Sequence, residues 1–358
     1  MGIRLPVEGM DEVSNRELQV FDPAVSVVIP AFQAHEHIQR ALESVFAQSF
    51  RKFEVIVVND GSPNTELLEQ ALHPYRDRIR YMKQENRGPS GARNAAVLAA
   101  KGPYIAFLDS DDVWFPNHLA EQMRRLEADL VLDLIYADSV LVRGECPIGH
   151  AFGSEPQSPP VTFEALLREK CTVGTSSTVA RREALIEAGL FDERFRRCED
   201  FDLWLRMAFG GSKMDFRTDP GVYHYLTEHS LSSDNYLLKR ARIEVYEKTA
   251  ATLAITEQQR GLIRSLVDKT EAECQKDQLR RQLEAGNYGG ALDAAVRARS
   301  LSRRNWKLDA AVIGLRWLPG IFRIFHRLHR WWIETRTRNR WDHAARKLTT
   351  PPRPTQVH

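Results

Sequence analysis

Three carboxylates stand close together in the segment Asp109-Ser110-Asp111-Asp112. They directly follow an apolar run, residues 103–108, that is typical of a buried strand. Carboxylates this close repel one another, and a hard divalent cation with oxygen ligands offsets that cost. Because such a cation can also hold a phosphate-bearing substrate, the segment predicts phosphate-linked transfer chemistry.

The acidic segment lies within a regular alternation of strand and helix patterns. β-Branched apolar runs predict strands at 25–29, 53–58, 79–82 and 104–108, and amphipathic stretches predict helices at 35–48, 65–72 and 90–100. Strands of this kind that alternate with helices indicate an α/β fold with a parallel sheet covered on both faces. Ligands of such sheets bind at the carboxyl ends of the strands.

Polar or turn-forming residues follow three of these predicted strands. Pro30-Ala31-Phe32 follows the first, Asn59-Asp60-Gly61-Ser62 the second and the acidic segment the fourth. Since parallel strands end at the same edge of a sheet, all three clusters are expected at one edge. The stretch 144–160 is rich in Gly, Pro and Ser and predicts a loop that could cover this edge.

Together with the segment Asn86-Arg-Gly-Pro-Ser-Gly-Ala-Arg-Asn94, these clusters resemble the family-2 glycosyltransferases of GT-A fold, which use nucleotide sugars. The resemblance covers residues 25–235. It implies a mainly parallel central sheet flanked by helices, followed by an α-helical C-terminal region.

The resemblance also implies where the nucleobase of the donor binds. In the family, the end of the first strand supplies backbone contacts to the base, which correspond here to Pro30, Ala31 and Phe32. Asp60 matches an aspartate that hydrogen-bonds the base, a role that suits a carboxylate because a uracil imide N–H needs an acceptor. Asn59 departs from a common paired-aspartate form of this motif.

Further residues are implied for the sugar-phosphate part of the donor. Arg93 would lie near the nucleotide or brace its pocket, with helix capping and packing as the alternative. Asp109 would face the ribose, and Asp111 would ligate Mg²⁺ or Mn²⁺ bridging the two phosphates. The metal would stabilise the charge that builds on the departing diphosphate. Asp112 is expected to be a helix N-cap or to support the turn at 114–116.

The chain departs from the family at a histidine that completes the metal shell in many members. Thr227 stands at that position here. His224, His229 or water are the alternatives for the missing ligand, since Mg²⁺ usually keeps several waters.

The segment Cys198-Glu199-Asp200-Phe-Asp202 resembles the Glu-Asp motif of the family, at the start of a predicted helix. Direct displacement at an anomeric carbon needs a base that takes the proton of the acceptor hydroxyl, and Asp200 is predicted to be this catalytic base. The alternative is a carboxylate that only stabilises the helix dipole. Glu199 is expected to support Asp200, and Asp202 to be solvated.

The predicted function is an inverting, metal-dependent glycosyltransferase. The family implies UDP-sugars as the commonest donors and a glycan or lipid-linked intermediate as the acceptor. A nucleotidyltransferase would show a Gly-rich basic loop after the first strand, where this chain has Pro30-Ala-Phe-Gln-Ala-His35. The other alternative is a degenerate nucleotide-sugar-binding protein.

Charge is distributed unevenly over the 358 residues. Residues 314–358 contain ten Lys/Arg and two Asp/Glu, a net charge of +8, against −6 for residues 1–313 and +2 for the whole chain. A basic amphipathic helix in this tail predicts either contact with a membrane surface or docking on the catalytic domain. Nucleic acid is not expected as a partner, because no recognition motif accompanies the charge.

Four widely spaced cysteines, the lack of an apolar leader and the lack of a long apolar stretch predict a cytoplasmic protein with reduced thiols. An interfacial tail would place it at the inner face of the cell membrane. The predicted organisation is a leader at 1–23, a GT-A catalytic domain at 24–235, a helical region at 236–313 and the basic tail at 314–358.

Overall fold

The structure is a computed structural model that describes residues 22–153, 157–226, 234–301 and 306–317. Most of the predicted leader and basic tail, and the positions of Thr227 and His229, lie outside these residues. The described residues fall into two compact units. The first lies within 1–161, 172–191 and 210–225, and the second within 162–171, 192–209 and 226–358.

The first unit is built on a nine-stranded mixed sheet with the order β3-β2-β1-β4-β8-β6-β9-β5, and β7 pairs with β6. The strands are β1 (Val25–Ala31), β2 (Phe53–Asp60), β3 (Arg80–Gln84), β4 (Tyr104–Phe107), β5 (Val113–Trp114), β6 (Leu132–Arg143), β7 (Cys146–His150), β8 (Thr178–Arg181) and β9 (Lys213–Tyr225).

The helices are α1 (Ile38–Phe46), α2 (Thr65–Leu72), α3 (Gly88–Ala99), α4 (His118–Ala128), α5 (Phe163–Leu167), α6 (Arg182–Glu187), α7 (Glu199–Phe209), α8 (Asn235–Thr252), α9 (Glu257–Glu284), α10 (Tyr288–Leu301) and α11 (Trp306–Trp317). Helices α5 and α7–α11 belong to the second unit.

Strands β1 to β4 pair in parallel, with β1 between β2 and β4, and β6 and β9 form a second parallel pair. In β1, β2 and β4 the β-branched residues are buried on both faces, which is why these sequences contain continuous apolar runs, whereas the edge strand β3 is polar and partly exposed. On α1, Ile38, Leu42 and Val45 recur at helical spacing and pack into the same core. This packing fixes the strand ends on which the predicted site depends.

The predicted α/β sheet is confirmed, and its elements up to β4 begin and end within a few residues of the predicted bounds. The predicted loop at 144–160 is partly wrong, because Cys146–His150 forms β7 and pairs antiparallel with β6. The five residues of β7 are all exposed and include Pro147 and Gly149. Proline and glycine are tolerated on edge strands. Because β7 is exposed, it also lacks the apolar pattern from which a strand would be predicted.

Candidate active site at the carboxyl ends of the parallel strands

The predicted clusters do meet at one edge of the first unit. Strands β1, β2 and β4 run parallel as neighbours, so the residues that end or follow them lie side by side. At the end of β1, Ala31 is buried and Phe32 has 47% of its surface exposed. The next residue, Gln33, adopts a left-handed φ of 53° and donates its N–H to the Ser62 hydroxyl. Backbone strain of this kind at a strand end is typical of ligand-binding sites.

Asp60, at the end of β2, is 2% exposed. Its Oδ1 accepts hydrogen bonds from Gln84 Nε2 at 2.8 Å and from the Arg87 N–H at 2.9 Å. Among the described residues Oδ2 has no hydrogen-bond partner. Asp60 therefore holds the turn before α3 with one oxygen, and the other oxygen makes no hydrogen bond to the described residues.

Asn59 is fully buried, and the reason for an amide at this position is visible in its contacts. Its Nδ2 donates to the hydroxyls of Thr65 and Tyr81, and its Oδ1 accepts from the Ser62 N–H. A carboxylate has no donor for two hydroxyl oxygens. Asn59 therefore donates two hydrogen bonds inside the fold that an aspartate at this position could not donate.

Arg93 lies in the second turn of α3 and contacts the acidic segment. Its Nη2 is 2.6 Å from Asp109 Oδ1, and its side chain is only 5% exposed. Burial raises the pKa of Asp109, but the Arg93 charge and hydrogen bond, together with His224 and Ser176, outweigh this and lower the pKa below its ordinary value. Arg93 thus keeps Asp109 ionised and fixes its orientation, which is a bracing role and not a helix cap.

Asp112 is fully buried and lies against β9, not against the turn at 114–116. It accepts hydrogen bonds from His224 Nδ1 at 3.0 Å and from the Tyr225 N–H at 3.0 Å. The expectation that it caps a helix is wrong, because its partners lie 112 and 113 residues away on β9.

His224 is a cation at neutral pH in this arrangement. Burial lowers the pKa of His224, but the hydrogen bond and charge of Asp112 and the charges of Asp109 and Asp111 raise it to about 9. The imidazolium therefore neutralises part of the charge of the acidic segment.

Asp111 remains the least compensated member of the segment. Burial, together with the charges of Asp112 and Asp109, raises the pKa of Asp111 to about 7. No Lys, Arg or His of the described residues forms an ion pair with it. Its backbone carbonyl accepts a hydrogen bond from Arg40 Nη2 at 3.0 Å, and the Arg40 guanidinium lies 3.7 Å above the Tyr225 ring. Sequence reasoning missed Arg40, because nothing but its position on α1 marks it.

The second predicted cluster lies in the second unit, in the first turn of α7. Asp200 is half-buried and its carboxylate accepts a hydrogen bond from the Phe201 N–H at 2.7 Å, whereas Glu199 is 8% exposed. Cys198, directly before the helix, has a left-handed φ of 57°. A non-glycine residue in this conformation marks a functional-site candidate.

Asp202 is not solvated as expected but only 1% exposed. It pairs with Arg206 Nη2 at 2.8 Å and with Lys248 Nζ at 2.6 Å, and Lys248 also pairs with Asp192 at 2.8 Å. Asp202 and Lys248 therefore tie α7 to α8. Sequence reasoning missed Lys248, which lies in a stretch of helix formers without a motif.

The sequence of the chain is similar to those of known glycosyltransferases. Residues 26–185 match the model of glycosyl transferase family 2, which confirms the resemblance predicted from the motifs. Over 113 residues it is 43% identical to the succinoglycan biosynthesis protein ExoW of Rhizobium meliloti, covering 29% of this chain and 35% of ExoW. The chain spans about a third of the length of the first curated relatives it matches, uncharacterized glycosyltransferases of Rickettsia.

Two solved structures share the fold. S. aureus TarS 1–349 in complex with UDP-GlcNAc has a TM-score of 0.58 at 19% identity, covering 81% of this chain and 84% of that one. Mannosyltransferase PcManGT from Pyrobaculum calidifontis, in complex with GDP-Man and Mn²⁺, has a TM-score of 0.51 at 17% identity, covering 90% and 88%. The expected GT-A type of fold, with a helical C-terminal region, is confirmed.

Two further findings concern the thiols and the helices of the chain. Cys146 is exposed, Cys171, Cys198 and Cys274 are buried, and all four are free cysteines. No helix in the described part of the chain combines the length and the apolar character needed to cross a bilayer.

Proposed function

We propose that the protein transfers a sugar from a nucleoside diphosphate sugar, with UDP as the preferred nucleotide, to a hydroxyl of a glycan or lipid-linked acceptor. The observation that carries the proposal is the acidic segment at the end of β4, in the region that matches the family-2 model, where Asp111 forms no ion pair with a Lys, Arg or His of the described residues. The relatives and fold neighbours support this class, since TarS and PcManGT bind sugar nucleotides.

A divalent cation, Mg²⁺ or Mn²⁺, fits the residues at this edge. The described residues include no group of three or more His, Cys, Asp or Glu side chains arranged to hold a metal ion. One carboxylate, Asp111, with donor phosphate oxygens and water is a suitable set for a hard cation. When bound, the cation would stabilise negative charge on the leaving diphosphate. His224 pairs with Asp112 through Nδ1, and His224, His229 and water remain the alternatives for the ligand that completes the metal shell.

The residues of the chain supply the other steps. Asp60 accepts a hydrogen bond from the base through Oδ2, beside backbone contacts from Pro30, Ala31 and Phe32. Asp109, held by Arg93, binds the ribose. Asp200 takes the proton of the acceptor hydroxyl while the oxygen of that hydroxyl forms a bond to the anomeric carbon. The bond from that carbon to the phosphate oxygen breaks, its electron pair leaves with the nucleoside diphosphate, and the configuration inverts.

The predicted organisation remains part of the proposal. The catalytic domain occupies 24–235, the helical region follows at 236–313, and the tail at 314–358 contacts the inner face of the cell membrane. A lipid-linked acceptor would be reached there.

The experiment compares the wild type with Asp111→Asn and Asp200→Asn, after a thermal-shift panel of nucleotide sugars with Mn²⁺ has identified the donor. Asp111→Asn is expected to lose metal-dependent donor stabilisation. Asp200→Asn should keep it and lose transfer by about 10²–10⁴-fold, which is the usual contribution of a general base. Asp77→Asn is the matched control, because the Asp77 side chain is 90% exposed.

Each alternative has its own outcome. Full transfer by Asp200→Asn would refute the base assignment. Donor binding by a wild type that turns over no donor would favour a degenerate binding protein. Release of inorganic diphosphate from a nucleoside triphosphate would favour a nucleotidyltransferase. Proton NMR of the anomeric linkage in the product tests inversion.

A further inference from the structure

Helix α11 has two faces of different exposure. Leu308, Val312 and Leu315 are buried, and Val312 and Leu315 pack with Ala291 and Ala295 of α10. On the outer side, Trp306 is 72%, Ile313 57% and Trp317 71% exposed. Single exposed apolar side chains are ordinary, whereas a contiguous exposed apolar patch marks an interaction surface.

The three exposed residues form one stripe. They are separated by seven and four positions, which at 3.6 residues per turn places them within about 40° of one another around the helix. The exposed Ala310 lies between them on the same side. The described residues therefore leave an apolar face along the whole 12-residue helix uncovered.

Cations flank this face at both ends. Lys307 Nζ lies 6.0 Å from the centre of the Trp306 ring, and the Arg316 guanidinium 5.8 Å from that of Trp317. The one acidic residue of α11, Asp309, is paired with Arg299 of α10 at 2.5 Å. The chain continues with residues 318–358, which contain nine Lys/Arg and two Asp/Glu. Helix α11 and the sequence that follows it therefore both carry a net positive charge.

We propose that the outer face of α11, formed by Trp306, Ala310, Ile313 and Trp317, lies on an anionic lipid surface. Tryptophan rings favour the headgroup region, and Lys and Arg beside them are attracted by anionic lipids. The helix is about 18 Å long, too short to cross a hydrocarbon core of about 30 Å, so it lies in the plane of the interface.

A second copy of this chain is the competing occupant. A symmetric dimer through this face would bring Lys307, Arg316 and the basic tails of two chains together, and like charges across an interface oppose association. The charge pattern therefore favours a lipid surface. This inference sharpens the proposed membrane contact and does not depend on the sugar-transfer chemistry.

The experiment uses the full chain and vesicles of phosphatidylcholine with about a third phosphatidylserine or with none, because anionic headgroups supply the electrostatic attraction. In co-sedimentation, the wild type should bind the anionic vesicles, and Trp306→Ser/Trp317→Ser should bind at least about tenfold more weakly. The matched control is Leu130→Ser/Val131→Ser, which removes side chains that are 77% and 68% exposed in the first unit.

A second readout reports on the stripe itself. An environment-sensitive dye on Ile313→Cys, in a Cys146→Ser background because Cys146 is exposed, should shift to the blue with anionic vesicles. Equal binding by the double tryptophan variant, equal binding to neutral vesicles or a dye without a shift would overturn the proposal. So would a wild-type dimer in light scattering that the tryptophan variant loses. Donor stabilisation, measured without vesicles, tests the proposed function separately.

Discussion

The two acidic segments, 109–112 in the first unit and 199–202 in the second, differ in how their carboxylates are paired with cations. In 109–112, Asp109 and Asp112 each have one cationic partner, Arg93 and His224, while Asp111 has none among the described residues. In 199–202, the most buried carboxylate, Asp202, has two cationic partners. The first segment leaves one carboxylate without an ion pair among the described residues, whereas in the second segment Asp202 is paired with two cations.

This difference suggests different tasks for similar residues. A carboxylate with a pKa of about 7 and no counter-charge favours binding of a cation. A carboxylate saturated by Lys248 and Arg206 fixes a helix, and the neighbouring Asp200 at the start of that helix gains a defined position. The predictions below alter this pattern of compensation, beginning with the largest expected effect.

The largest effect is expected from Lys248→Met, which makes the second segment resemble the first. Asp202 keeps only Arg206, and Asp192 loses one of its two partners. Removing one partner of a buried ion pair costs about 3 kcal/mol, so the free energy of unfolding should fall by about this amount in urea denaturation. The control Arg124→Met breaks an exposed pair with Glu121 and should cost at most about 1 kcal/mol. Equal losses in both variants would show that the network adds nothing to stability.

Arg93→Met removes compensation from the first segment. Asp109, whose side chain is 31% exposed, would lose its paired cation, and the free energy of unfolding at pH 7 should fall by about 1.5 kcal/mol, since a partly buried polar group left unpaired costs on this order. Arg93→Lys keeps the charge but loses the forked geometry and should give a smaller loss. Donor affinity, measured by titration calorimetry, should fall in the same order. A methionine variant as stable as the lysine variant would contradict the bracing role.

His118 is the opposite case to the paired carboxylates, because it is a buried group that stays uncharged. Burial, and to a lesser extent the charge of Arg217, lowers the pKa of His118 to about 3, and its ring nitrogens have no hydrogen-bond partner among the described residues. Trp114 packs on the ring, and Glu121 and Asp219 line the same cavity of about 360 Å³. In the unfolded chain the His118 imidazole binds a proton near pH 6.5, whereas in the folded protein it stays neutral at that pH. Stability should therefore fall as the pH drops below about 6.5, by up to about 1.4 kcal/mol per pH unit.

Urea denaturation of the wild type and His118→Leu from pH 7 to 5.5 measures this slope. The variant should lose about 1 kcal/mol less over that range, because it has no imidazole to protonate at this position. His73→Leu is the control, since His73 is exposed. Parallel stability curves for wild type and His118→Leu would show that His118 does not control the acid dependence.

The sequence predicted the parallel part of the sheet and the positions of its strand ends, because each of these depends on a local apolar pattern. It did not predict which side chains pair. Asp112 pairs with His224, which is 112 positions away in the sequence, and Asp202 pairs with Lys248, which is 46 positions away. Only the fold brings such residues together. The roles of Asp112 and Asp202 were therefore wrong, while the positions of Asp109 and Asp111 at the strand end followed from the pattern before them.

Arg40 provides the finest test of the first segment, because it contacts the backbone of Asp111 and not its carboxylate. Arg40→Gln removes the stacking on Tyr225 and the hydrogen bond to the Asp111 carbonyl, interactions worth about 1 kcal/mol together at an exposed site. Metal-dependent donor affinity should fall about fivefold, which corresponds to that energy. Arg78→Gln is the matched control, since the Arg78 guanidinium lies 3.6 Å above the Phe46 ring at the other end of α1. If both variants bind the donor with wild-type affinity, Asp111 is held by its own turn, and the cation site requires no support from α1.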